Sequence, residues 1–195
     1  MASLLIAVVL LGAMHWLSVG LLARLQGVNA YTQSQPKLVG SGASGSAAQG
    51  QGTAVSGDGL TACVGGYGDS SIGAVWFYTR ANAATFTWSQ QGSKVAPKDS
   101  SGLSIYFGSS CSLSFNGNIA VVGGYGDKAN IGATWIITRD VSGAWTQQGA
   151  KLVGTGYICG TNCVWQGFSN SLASAAANVY ITAGWGDNSN AGIGV

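Results

Sequence analysis

Side chains able to do acid–base, nucleophilic or metal chemistry are scarce in this chain: six aspartates, no glutamate, one histidine (His15) and four cysteines. Three of the aspartates sit in one recurring motif. Gly65-Gly66-Tyr67-Gly68-Asp69 returns as Gly123-Gly124-Tyr125-Gly126-Asp127 and, altered, as Ala183-Gly184-Trp185-Gly186-Asp187, which places the carboxylates 58 and 60 residues apart. A pair of carboxylates is the minimum for glycoside hydrolysis. On the same connection of successive repeats, Asp69, Asp127 and Asp187 would form an acidic ring on one face. A residue present in every repeat reads first as part of the repeat's own framework, here an acceptor for backbone N–H groups of the turn it opens. With His15 inside an apolar leader, Ser-His-Asp and Cys-His arrangements are excluded from the rest of the chain. No enzyme activity is expected.

Features that break the repetition are where a ligand site would show. The segment Gly156-Tyr157-Ile158-Cys159-Gly160-Thr161-Asn162-Cys163-Val164-Trp165 has no equivalent in this form in the earlier repeats, which makes Tyr157 and Trp165 candidate contact residues. Four cysteines in an exported chain allow three disulfide pairings, and Cys159 with Cys163 is the local one. Cys63 takes the place of Val121 in the next repeat and Cys111 lies in a strand, so these two read as a second pair or as buried thiols. Without a second close cysteine pair or a histidine, no zinc site is expected, nor any other metal or cofactor.

The elements that must position these residues are announced by composition. Charged residues make up 7% of the chain, against about a quarter in ordinary proteins. Eight Lys and Arg cannot form the dense patch that nucleic acid requires. Seven Trp, seven Tyr and five Phe argue for a packed chain rather than a disordered one. From Leu4 to Leu22 the sequence is almost uninterruptedly apolar, and Val28-Asn29-Ala30 supplies the small residues of a cleavage site. Residues 1–30 are expected to be a signal peptide or, if uncleaved, a membrane anchor through residues 4–22. Either way the remainder is extracellular or on the cell surface.

That remainder is organised by a period of about sixty residues. Ile72-Gly73-Ala74-Val75-Trp76-Phe77-Tyr78-Thr79-Arg80 is matched by Ile131-Gly132-Ala133-Thr134-Trp135-Ile136-Ile137-Thr138-Arg139. Trp88-Ser89-Gln90-Gln91-Gly92-Ser93-Lys94-Val95 is matched by Trp145 to Leu152, and an early copy begins at Tyr31. Within each period, short β-branched or aromatic runs are bounded by Gly, Asn, Asp and Ser, with Asp58-Gly59 and Asn116-Gly117 placed as two-residue hairpin turns. The fold class is all-β: β-propeller-type repeats, about three four-stranded antiparallel blades with the last incomplete, spanning approximately 31–95, 96–153 and 154–195. Thirty-two glycines fit sheets that approach closely.

Phe107-Gly108-Ser109-Ser110 and Val121-Val122-Gly123-Gly124-Tyr125-Gly126-Asp127 resemble the Phe-Gly opening and the Gly-Ala-Pro strand end of the FG-GAP repeat, the blade of integrin α-subunit propellers. The resemblance covers residues 31–195. It implies an innermost strand at each Phe-Gly, an outermost strand at Tyr31–Val39, and a last blade that stops before its third strand. Three blades do not close a ring, so the chain is expected to be part of a longer product or to be completed by separate copies as a homo-oligomer. Family blades often hold calcium in the first hairpin. Here Ser56–Leu60, Ser114–Asn118 and Ser174–Asn178 supply one acidic residue, Asp58, against the six or more oxygens calcium takes, and no calcium is expected. The implied function is binding of an extracellular protein or glycan through loops on one face, with ligand contacts at Asp69, Asp127, Asp187, Tyr157 and Trp165. A self-assembling structural protein is the alternative, and a hydrolase using the repeat-spaced aspartates comes third.

Overall fold

Every strand of this chain pairs antiparallel to its sequence neighbour, because each apolar run is separated from the next by a short turn and has no closer partner. The structure is a computed structural model that describes residues 33–159, 163–173, 179–184, 186–187 and 193–194. The leader expected at 1–30 lies outside the described residues, as do Gly160, Thr161 and Asn162 of the cysteine loop and Trp185. In the first sheet, β1 (Gln49–Val55), β2 (Thr61–Gly66), β3 (Ala74–Thr79) and β4 (Ser89–Gln90) follow in order. The second repeats the pattern with β5 (Ser110–Leu113), β6 (Ile119–Gly124), β7 (Ala133–Arg139) and β8 (Trp145–Leu152). The third has β9 (Ser169–Leu172), β10 (Tyr180–Gly184) and β11 (Ile193–Gly194). The protein is all-β, a partial propeller-like stack of three antiparallel sheets.

Three local expectations are corrected. The first hairpin of each of the first two blades is not a two-residue turn, and the corresponding residues 174–178 lie outside the described residues. Ser56 N–H donates to the Thr61 carbonyl across four loop residues, and Thr61 N–H donates to Ser56 Oγ at 2.9 Å. Asp58 accepts from the Ser56 hydroxyl and from Leu60 N–H, so the serine two residues earlier widens the turn. Asn116 repeats this with Ser114 and Asn118. Second, residues 33–48 form no strand. Gln35-Pro36-Lys37-Leu38-Val39 pairs with no strand among the described residues, and Pro36 has no N–H to donate to one. Here the segment instead lies over the first sheet, where Gly40 and Ser41 N–H donate to Gln49 and Gln90 and Trp76 Nε1 donates to the Ser41 carbonyl at 2.8 Å. Third, the last blade does begin its third strand. β11 pairs Ile193 with Gly184, the register that Ala74 takes with Gly66.

Burial on both faces explains why β3 reads Ala-Val-Trp-Phe-Tyr-Thr without polar alternation. Cys63, Val75 and Phe77 of the first sheet pack against Phe107, Leu113, Val122, Trp135 and Trp145 of the second. The Phe77 and Trp145 rings stack with centroids 3.7 Å apart and planes 5° from parallel. Burying each such side chain contributes about 1.5–3 kcal/mol. Cys63 and Cys111, one reading of which was two buried thiols, are instead joined as a disulfide from β2 to β5. Both faced the same interface from adjacent blades, which their separate strand positions did not disclose.

The interface between the second and third sheets uses polar groups. Thr134 Oγ1 and Thr182 Oγ1 lie 3.0 Å apart, and both residues are buried. The Asn170 amide reaches Ser110 Oγ at 2.7 Å, and Leu172 N–H donates to Ser112 Oγ at 3.0 Å. The Cys63–Cys111 bond spans 48 residues. From loop closure, replacing both with alanine is expected to lower unfolding free energy by about 4 kcal/mol in equilibrium urea denaturation. An unchanged midpoint would show that this cross-link does not hold the first two sheets.

Candidate functional site

The Gly-Gly-Tyr-Gly-Asp turns link the second strand of each sheet to the third, and each Asp opens a single helical turn, Asp69–Ser71 and Asp127–Asn130. Asp69 is buried, accepts from Ser44 N–H at 2.6 Å through Oδ1, and pairs with Lys94 Nζ through Oδ2. Asp127 is fully buried and does the same with Ser101 N–H at 2.7 Å and Lys151 Nζ at 2.5 Å. Asp187 is half-buried and accepts from Ile158 N–H at 2.6 Å. Each carboxylate ties the second-to-third-strand turn to the segment leading into its blade; Asp127 also reaches Lys151 in β8, and Asp69 reaches Lys94, just past β4. The lysines were missed as partners in the sequence. Their signal was present, since Gln-Gln-Gly-x-Lys recurs 25 and 24 residues after Asp69 and Asp127.

Asp99 occupies a different joint. It accepts from Trp135 Nε1 at 2.8 Å, Gln147 Nε2 at 3.0 Å and Lys151 N–H at 2.7 Å. Burial pushes this carboxyl up, but the combined hydrogen bonds hold it below the usual aspartate range. Arg139 lies over the Trp145 ring at 5.3 Å, and Gln91 of the first blade accepts from both Arg139 and Trp145.

Above these joints the loops assemble a run of aromatic rings. Tyr67 and Tyr125 come from the Gly-Gly-Tyr-Gly-Asp turns, whereas Tyr106, Trp165 and Phe168 come from the segments leading into the second and third blades. Ring centroids are 5.8 Å apart for Tyr67–Tyr106, 4.8 Å for Tyr106–Tyr125, 6.2 Å for Tyr125–Trp165 and 5.4 Å for Tyr125–Phe168. Tyr106 and Trp165 occupy equivalent positions and both have positive φ, 59° and 58°, a conformation bulky residues rarely adopt. The neighbouring backbone holds them there: Phe107 N–H donates to Ile72 and Gln166 N–H to Ile131, both at 2.9 Å. Burial, then the nearby Tyr106 and Tyr67 hydroxyls, push the Tyr125 phenol above its ordinary value, so it is uncharged at neutral pH.

Of the residues singled out in the sequence, Trp165 joins this run. Tyr157 is half-buried and makes no ring contact among the described residues. Cys159 and Cys163 are disulfide-bonded, and Cys159 bridges to Asp187, so the cysteine loop abuts the third aspartate. The two disulfides fit folding in an oxidising, extracellular environment. Among the described residues no three His, Cys, Asp or Glu groups converge, and no helix is long and apolar enough to cross a membrane. Neither a comparison with protein-family models nor one with curated proteins finds a match for the chain.

A buried ion pair is sensitive to loss of one partner. Lys151→Met is expected to destabilise the protein by about 3 kcal/mol, because Asp127 is left charged and unpaired. The double variant with Asp127→Asn recovers part of that loss. Thermal and urea unfolding of the two variants, in parallel, measure the difference.

Proposed function

We propose that this chain is an exported or cell-surface module of FG-GAP-like β-propeller blades that binds a protein or a glycan through the loops on one face, without catalysis. The aromatic run from Tyr67 to Phe168 carries this reading. It draws five rings from three blades into one stretch of loops, where a core would need none, and loops on a rigid scaffold are where binding residues collect. Aromatic bodies with hydroxyl tips suit surfaces that are apolar in part and wet in part. Export is supported by the disulfides. A hydrolase reading is weakened because Asp69 and Asp127 are each engaged by a lysine and a backbone N–H.

Screening the full-length chain against glycan and protein arrays tests the proposal. Tyr125→Ala is expected to weaken the captured ligand by at least about tenfold, the loss of one well-packed aromatic contact. Absence of any ligand on both arrays removes the reading.

Self-assembly is the second reading, favoured by one observation. Ile181 on β10 and Val179 just before that strand are 54% and 61% exposed, although Val121, the counterpart of Ile181 on β6, is completely buried where β6 meets β9 of the next sheet. If another copy supplies that cover, light scattering after size exclusion will show a concentration-dependent oligomer that Ile181→Lys disperses. A monomer at all concentrations eliminates assembly.

A further inference from the structure

The first strands of the three sheets converge on a pocket of about 240 Å³ whose lining is polar yet carries no charged group. Gln51 and Thr53 of β1, Ser109 and Ser110 at the start of β5, and Asn170 of β9 supply amides and hydroxyls, and Phe168 stands at its edge. Gln51 and Thr53 are exposed, and neither side chain has a hydrogen-bond partner among the described residues. Ser110 and Asn170 are held by each other and by neighbouring backbone, with Ser110 Oγ donating to the Gly167 carbonyl at 2.7 Å. The pocket thus has a fixed wall and an adaptable one. Phe168 is 47% exposed and also packs on Tyr125, which places the pocket at one end of the aromatic run.

We propose that this pocket binds a single neutral sugar ring, a subsite of the glycan-binding activity on whose reading it rests. A phosphate, carboxylate or ammonium would find no ionic partner on walls that carry no charge. An apolar ligand would cover the Gln51 amide and the Thr53 hydroxyl without giving either a partner. A pyranose meets both demands, because its hydroxyl edge matches groups that both donate and accept while its C–H face covers an aromatic ring. At about 240 Å³ the space is below the roughly 300–1,000 Å³ of drug-sized sites and fits one ring rather than a chain.

The experiment uses the full-length chain with the methyl glycosides of glucose, galactose, mannose and N-acetylglucosamine, observed by saturation-transfer NMR and calorimetry. Glucuronic acid and glucosamine serve as charged controls. At least one neutral glycoside is expected to bind, and Thr53→Val and Phe168→Ala are each expected to weaken it about tenfold, near the upper worth of one hydrogen bond for the first and of one aromatic contact for the second. Thr53→Ser is expected to retain binding, which separates a lost hydroxyl from lost packing. Failure of every neutral glycoside, equal binding of the charged controls, or binding unchanged in both Thr53→Val and Phe168→Ala would overturn the pocket assignment. Array-positive ligands that ignore these substitutions overturn the pocket while leaving the module's binding function standing, whereas blank arrays remove both.

Discussion

Neighbouring sheets in this protein meet backbone against backbone. Gly65 lies on the carbonyl of Gly108, and Gly123 lies on that of Gly167, with no space for a Cβ at either contact. Gly108 and Gly167 themselves have positive φ, 88° and 79°. This close approach lets Phe107 and Gln166 hydrogen-bond to the blade before them, and those bonds in turn hold Tyr106 and Trp165 in their unusual backbone conformation. The aromatic run is therefore a product of sheet spacing. Moving the sheets apart by the width of a methyl group would break the bridges that aim its rings.

The same geometry is filled by different chemistry at the two interfaces. Between the first and second sheets the contact is apolar, closed by the Phe77–Trp145 stack and the Cys63–Cys111 bond. Between the second and third, Thr134, Thr182, Asn170 and Ser110 form a hydrogen-bonded joint. Both satisfy burial, but only the first couples it to a covalent constraint. Polar joints gain little net energy per bond while being costly to leave unmade, which favours a single alignment over added stability. The third blade's part in the aromatic run, Trp165 and Phe168, rests on that alignment.

Much of the architecture was legible because repetition amplifies weak local signals. The strand positions, the antiparallel order and the Gly-Gly-Tyr-Gly-Asp turns follow from short apolar runs that recur with their bounding glycines. The roles of Asp69 and Asp127 were legible in kind, as acceptors within the blade framework, but not in partner. Lys94 and Lys151 lie 25 and 24 residues further along the chain, just past the fourth strand in one blade and within it in the other, and only the fold of the whole blade brings ammonium to carboxylate. The segment at 33–48 shows the opposite failure, since a motif that makes a strand in the second blade makes none there. A β-strand is defined by its partner as much as by its residues.

By itself, the sequence determined what is local or periodic: an all-β class, repeats of about sixty residues, and few charged side chains. Those properties depend on residue type and spacing along the chain. Tertiary structure decided which distant groups became neighbours: the pairing of Cys63 with Cys111, the lysines on the repeat aspartates, the continuity of Tyr67 through Phe168, and a neutral pocket lined from three separate strands. Each of these is a contact between segments tens of residues apart. Their geometry is set by how closely the sheets stack, a distance that no single repeat encodes.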